Sequence, residues 1–400
     1  MSEQLVKELK VLIERGRIEQ AREFLLSRDE LVGDEKHLLH ASLIFLWADC
    51  PIQALGLAQL GKERFPGNLR FRGLLGMTHS RLERYQEARV EIEATCVKHV
   101  PRILVYFIST VCLGLEDLRA GEQLHSRSML QDPDCPERRE AYVSFLHDFA
   151  FIHLERHKNC EDALALFHKA ETLAPDDRDV QFGLGRTYYE MDDREKSLPH
   201  LLNASEWPPS WILLPEIYYD LGEFQKALEA SRKAIKYFPS SVDAQLTRAR
   251  AARHLELRDE ELEALQQALR LSPDNSELKT DLALCFYKYG EQQVALDFVN
   301  EAIAQGFEED AAECVAFWTR GMIRVCMDDD DALEDYDHAL RLEPNLLALL
   351  RGKAEAQYWL GWPEEALDTL DKVFTIDPRD EKAFELLTKV TCHLVTLSEG

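Results

Sequence analysis

Apolar residues recur three or four positions apart through nearly the whole chain, in short runs broken by polar or glycine-containing stretches. This spacing predicts a string of short amphipathic helices. The stretch from Trp211 to Pro239, WILLPEIYYDLGEFQKALEASRKAIKYFP, shows the unit. Trp211, Leu214 and Tyr218 fall on one face of a first helix. Gly222 allows a tight turn, because a residue without a Cβ enters backbone conformations that cost others energy. Ala227, Leu228, Ser231, Ala234 and Ile235 line one side of a second helix, which Pro239 ends by removing a backbone donor. Neither helix can bury its stripe alone, so each pair has to stack on similar neighbours.

Aligning the small residue of each second helix on Ala227 picks out Ala21, Ala54, Ala88, Gly121, Ala163, Ser197, Ala227, Glu261, Ala295, Ala332 and Ala366. The steps between them are 33, 34, 33, 42, 34, 30, 34, 34, 37 and 34 residues. Pro66, Pro175, Pro209, Pro239, Pro273, Pro344 and Pro378 follow at similar offsets. The period, the small residue and the terminal proline together resemble the tetratricopeptide repeat, a helix-turn-helix unit of about 34 residues. The resemblance implies an all-α fold, a right-handed α-solenoid (superhelix) of about eleven helix-turn-helix hairpins with a C-terminal capping helix.

Irregularities in the period set the expected organisation. The step of 42 spans QDPDCPERRE, which predicts a loop leading into a longer helix with Glu137 and Glu140 near its start. The expected division is therefore 1–134, four partly degenerate repeats; 135–378, seven repeats; and 379–400, a capping helix with Ala383, Leu387, Val390 and Leu394 on one stripe. At EWPPSW the step contracts to 30, and Pro208 and Pro209 are expected to end a helix early. A helix from Leu5 to Ile13 is expected to cap the other end. RILVYFISTVCLG is nearly all apolar, which predicts a fourth first helix buried on both sides. AQGFEEDAAE, where a terminal proline is missing, predicts a loop or an extra turn.

Composition narrows the function. Hydrophobic residues make up 46% and charged ones 30%, enough for a folded chain with a continuous core. The net charge of -26 argues against nucleic acid or anionic lipid as the ligand, since both require a basic surface. That charge is uneven: residues 1–200 hold 27 Lys and Arg against 34 Asp and Glu, residues 201–400 hold 20 against 39. Residues 51–100 run the other way, 8 against 5, leaving room for a local basic patch. Nine cysteines without CxxC spacing, Cys112 and Cys285 among them inside apolar runs, read as small buried hydrophobes in a reducing compartment. Nowhere do 18 apolar residues run together, and MSEQLVKELKVLIERG offers no uninterrupted apolar core for export, so a cytoplasmic protein with no membrane insertion is expected.

Reactive constellations are missing from the sequence: no HExxH, GxSxG, P-loop or EF-hand ladder occurs. Gly183 and Gly185 have no strand before them and read as close helix packing. His153 and His157, with His147 and Cys160 nearby, lack the carboxylate that a metal site built on helical histidines would add. The run Asp328 to Asp331 has no spaced ligands and reads as a solvated turn. No catalytic residue, metal or cofactor is assigned, and surface recognition remains. In the proteins this chain resembles, the first helix of each hairpin lines an inner, concave wall that holds a peptide or a partner's helix. Matching helices carries that role to Arg186, Tyr189, Glu216, Tyr219, Arg250, Arg253, Tyr287, Lys288, Trp318, Arg351 and Tyr358. Arginine and tyrosine suit such a wall, because both combine large contact area with directed hydrogen bonds. The implied function is a non-enzymatic scaffold or adaptor for protein or peptide partners, with an acidic or phosphorylated segment at Arg250 and Arg253. The alternative is a regulator or assembly chaperone that holds a basic client through the acidic C-terminal half. The lysine-and-asparagine clamp by which some relatives hold a chaperone's terminal carboxylate is not visible.

Overall fold

The computed structural model describes residues 8, 11–13, 15–27, 33–96, 100, 101 and 104–398, and every regular element among them is a helix. The chain divides into two compact units, Met1–Trp207 and Pro208–Gly400. In the first, α1 (Ile18–Leu26) precedes the hairpins α2/α3 (Glu35–Trp47, Pro51–Arg64), α4/α5 (Leu69–Arg81, Tyr85–Thr95), α6/α7 (Val105–Gly114, Leu118–Gln131), α8/α9 (Pro136–Glu155, Cys160–Leu173) and α10/α11 (Arg178–Glu190, Arg194–Asn203). In the second, α12/α13 (Ser210–Asp220, Phe224–Tyr237), α14/α15 (Val242–His254, Arg258–Leu271), α16/α17 (Ser276–Lys288, Gln292–Gln305), α18/α19 (Asp310–Val325, Ala332–Leu342) and α20/α21 (Leu347–Trp359, Pro363–Ile376) lead to α22 (Glu381–Ser398). Most of the helix expected over Leu5 to Ile13 lies outside the described residues.

One backbone device recurs in every hairpin. Gly16, Asp49, Glu83, Glu116, Lys158, Asp192, Gly222, Glu256, Gly290, Asp328 and Gly361 all have φ between 51° and 84°, in the left-handed region. The aligned small residue follows five positions later, or four after Asp328. The residue after each turn except that at Lys158, where Asn159 N–H bonds one residue farther back to His153 O, closes a Schellman motif: Glu223 N–H donates to Tyr218 O at 2.8 Å, and Asp193 N–H to Tyr188 O and Glu291 N–H to Phe286 O at 2.9 Å. These bonds satisfy carbonyls that the end of the first helix would otherwise leave open. The turn thus fixes the register that carries the small residue into the contact between helices.

The other connection is equally local. Pro66, Pro175, Pro239, Pro273 and Pro378 end a second helix, and the residue two positions on, Asn68, Asp177, Ser241, Asn275 or Asp380, caps the next first helix. Asn275 Oδ1 accepts from Leu278 N–H at 2.9 Å, for example, and Asp380 Oδ1 from Ala383 N–H at 2.9 Å.

The small residues are fully buried. Where glycine replaces alanine the packing is tighter still, since a Cβ on Gly121 would lie 2.1 Å from Phe145 Cζ; on the first helix α10, one on Gly183 would lie 2.2 Å from Phe167 Cε1. Close packing accounts for Gly183, as its setting in the sequence implied. The first unit has one contiguous apolar core running from Ile13 to Leu184 around Phe45, Phe71, Phe145 and Phe167. The second is cored in successive patches, and buried charge lies among them: Glu261 beneath Arg253, and Asp335 beneath Arg320 and Arg324.

Several expectations meet the structure differently. The boundary expected after residue 134 falls inside the first unit, where the long α8, itself as expected, packs against both α6 and α7. Pro208 and Pro209 do not end a helix. The preceding one has already stopped at Asn203, and Pro209 is the N-cap of α12, where a missing N–H costs nothing. The helix α6 is not buried on both sides, since Tyr106 and Thr110, four apart on one face, are exposed. Gly306, at φ 85°, closes α17 ahead of the expected loop, and α22 buries Ala383 and Val390 as its stripe predicts.

Candidate binding surfaces

The eleven residues assigned from the sequence all lie on first helices, and most of them hold neighbouring repeats together. In the first unit, the Arg186 guanidinium is 3.1 Å from Glu155 and lies over the Phe151 ring, while Tyr189 is covered by Arg194 at 4.1 Å. In the second, Tyr219 Oη is 3.2 Å from His254 Nε2 on the next first helix. Arg253 lies between two carboxylates, with Nε 2.5 Å from Glu261 and a terminal nitrogen 3.2 Å from Asp281. Burial works against its charge, but the hydrogen bond to Glu261 and the Asp281 charge hold the Arg253 pKa above its ordinary value.

Farther along, Cys326 Sγ lies 3.6 Å from Tyr287 Oη, and burial, reinforced by that thiol, pushes the Tyr287 phenol up to about 12. Trp318 packs its indole nitrogen against Gly352 and joins the cluster around Tyr336. Arg351 is paired with Asp380, and the Tyr358 ring meets His393 edge-on. Glu216, Arg250 and Lys288 are exposed; Arg250 makes no ion pair among the described residues, and Lys288 Nζ lies 3.4 Å from the Arg253 carbonyl and 5.6 Å from the centre of the Tyr289 ring. Arg250 and Arg253 therefore do not form a pair of equivalent cations. One is open, and the other is already matched.

A surface that the sequence reading did not assign lies in the first unit. A cleft of about 380 Å³ opens between α2 and α4 and is lined by Leu39, Leu43, Leu69, Arg70, Gly73, Leu74, Met77, Thr95, Pro101 and Leu104. Helix periodicity builds its walls. Leu39 and Leu43 are one turn apart on α2, while Arg70, Gly73 and Met77 are spaced i, i+3, i+7 on α4. Gly73 keeps the floor low: a Cβ there would point at Leu104 and Thr95, 3.4 to 3.6 Å away. Trp47, one turn beyond Leu43, is 73% exposed. The available signals were the stripe on α4 and the basic excess over residues 51–100.

Among the described residues, no helix is long and apolar enough to cross a membrane, and no group of histidine, cysteine and carboxylate side chains could hold a metal ion. Residues 216–276 and 262–311 match the profile of the tetratricopeptide repeat family. The TPR repeat-containing protein YpiA of Bacillus subtilis is 23% identical over 235 residues, 58% of this chain and 54% of that protein. The TPR repeat-containing protein MJ1428 of Methanocaldococcus jannaschii is 29% identical over 174 residues, 43% of this chain and 30% of that protein. The chain thus spans about half or less of the curated relatives it matches. Among solved structures, the APC/C hetero-tetramer Cut9-Hcn1 aligns over 98% of this chain and 90% of its own, at 14% identity and a TM-score of 0.49. Residues 216–311 thus carry tetratricopeptide repeats, and the left-handed turn of each hairpin, with a buried residue at a fixed distance after it, continues the same helix-turn-helix pattern through the other hairpins of the described residues.

Proposed function

We propose that the protein is a non-enzymatic scaffold or adaptor that binds segments of partner proteins on the faces of its first helices. The observation that carries this reading is the apolar cleft between α2 and α4, an open surface whose walls are set by helix packing before any partner arrives. A pre-ordered wall leaves most of the ordering cost to the partner, which favours extended or helical segments over compact domains. On the second unit taken by itself, Glu216, Arg250 and Lys288 are exposed on three successive first helices and offer polar contacts to a partner segment. All nine cysteines are free thiols, which supports placing the protein in a reducing, cytoplasmic setting.

A photo-crosslinking residue at position 43, inside the cleft, tests the reading against one at position 90, on the exposed side of α5, where Val90 is 63% accessible. Protein adducts are expected several-fold more often from position 43; equal yields would overturn the assignment of the binding face.

A second reading is a regulator that holds a basic client on the second unit. It is favoured by an open groove of about 730 Å³ between the α15–α16 connection and the end of α17, where Asp274, Glu277, Glu308 and Glu309 meet with no lysine or arginine in the lining. Binding of that kind would weaken steeply with added salt. A salt-insensitive partner would exclude it.

A further inference from the structure

The cleft of the first unit is locally basic in a chain that is acidic as a whole. Among Asp, Glu, Lys and Arg, the three helices α2, α4 and α6 carry only Glu35, Lys36, Arg70, Arg72 and Arg81, in a protein whose net charge is -26. Arg72 is matched by Glu91 at 3.6 Å, and Glu35 accepts a hydrogen bond from Asn68. Arg70 and Arg81 are exposed and make no ion pair among the described residues. They are also aligned. At about 100° per residue, Arg70, Gly73, Met77 and Arg81 fall within a sector of roughly 80° on α4; Arg70 lines the cleft, and Arg81 stands one turn beyond Met77 on the same face, outside the lining. Eleven residues of helix place them about 16 Å apart along the axis, the reach of roughly five residues of extended chain.

We infer that the cleft holds a short, internal acidic segment of a protein partner. One aliphatic or aromatic side chain sits between Leu39, Leu43, Met77 and Leu104, and carboxylates on either side of it reach Arg70 and Arg81. The inference rests on the reading that first-helix faces bind partner segments, and adds to it the anchor and the sign of the charge. The anchor gains by leaving water for an apolar wall that is already formed. The guanidiniums take carboxylates in paired hydrogen bonds, and a basic segment at the same place meets two unmatched cations.

The test uses the full chain and fluorescein-labelled peptides read by anisotropy: Glu-Asp-Ser-Leu-Ser-Asp-Glu, its version with alanine at the centre, and its version with lysine at every acidic position. The acidic leucine peptide is expected to bind at least tenfold more tightly than either of the others. The Arg70→Glu, Arg81→Glu double variant, which changes only exposed side chains, should lose at least tenfold in affinity with an unchanged circular dichroism spectrum. Leu43→Trp, which fills the cleft, should abolish binding. Equal affinity for the three peptides, or no effect of the double reversal, overturns the inference. So does a dimer seen by sedimentation that dissolves in Leu43→Trp, since the occupant would then be a second copy of this chain. Should crosslinks from position 43 persist while the peptides fail to discriminate, the acidic segment falls and the binding face stands.

Discussion

Replacing Arg253 by alanine separates a structural role from a binding one. Glu261 occupies the position that is alanine, glycine or serine in the other repeats, and it is fully buried with Arg253 Nε at 2.5 Å. Arg253 links three helices, since it sits on α14 and reaches Glu261 on α15 and Asp281 on α16. In Arg253→Ala the Glu261 carboxylate keeps its burial and loses its cation, a change that costs about 3 to 5 kcal/mol for buried pairs. Arg253 retains 29% side-chain exposure, so the low end, about 3 kcal/mol, applies. At about 1.4 kcal/mol per decade this lowers amide protection roughly a hundredfold in α15 and its neighbours.

Glu261→Ala restores the small residue and leaves Arg253 its contact with Asp281. The double variant, with no buried charge to strand, is expected within about 1 kcal/mol of the parent. Hydrogen exchange read by mass spectrometry on α14, α15 and α16 is the assay, because a stack of repeats does not unfold as one two-state unit. The reasoning is refuted if Arg253→Ala leaves α15 protection unchanged, or if the double variant is no better protected than the single. The double variant is also the control for partner binding, since it removes the arginine without exposing the carboxylate's cost.

His125 is fully buried, stacked 5.2 Å from Tyr142 and 4.8 Å from Phe145, with Nε2 3.0 Å from Ser109 Oγ; burial lowers its pKa to about 3. Between about pH 3 and pH 6.5 the unfolded chain binds a proton that the folded one does not, so stability rises with pH across that window. Lowering the pH from 7 to 5 should cost about 2 kcal/mol through this residue, an increment missing from the local stability of α7 read by hydrogen exchange in His125→Phe; equal pH dependence of the two proteins, after correction for intrinsic exchange rates, would contradict it. Gly121→Ala should destabilise by about 1 to 3 kcal/mol despite alanine's better helix propensity, because the added Cβ meets the buried Phe145 ring. A rise in Tm would show that the ring yields more easily than its packing implies.

The repeat was legible because its determinants are local. A proline, a cap two residues on, a left-handed turn and a small residue at a set distance act within one hairpin, and their spacing survives in the sequence even where glycine or glutamate stands in for alanine. Glu261 fitted that register, yet its consequence was hidden: whether Arg253 is open to a partner depends on Glu261 and Asp281, which come from two other helices. The same holds for Tyr287, whose partner Cys326 belongs to the following hairpin, and for Arg351 and Tyr358, whose partners Asp380 and His393 belong to the cap and body of α22. The compact division at Trp207 falls at the shortened step over EWPPSW, an irregularity already visible in the sequence, while the longer step near residue 134 reflects the length of α8. The cleft escaped because its defining stripe, Arg70, Gly73, Met77 and Arg81, departs from the tyrosine-and-arginine pattern used to find a wall.

Seven of the eleven hairpin turns place aspartate, glutamate or lysine where glycine would be relaxed. Holding a side chain in the left-handed region costs about 1 to 3 kcal/mol, and glycine there returns roughly 0.5 to 1 kcal/mol of that through the freedom of the unfolded chain. Because stacked hairpins couple chiefly to their neighbours, such exchanges at positions 49, 83, 116, 158, 192, 256 and 328 amount to independent tuning screws. Rigidity could be graded along the array by design, rung by rung, with every partner-facing side chain untouched.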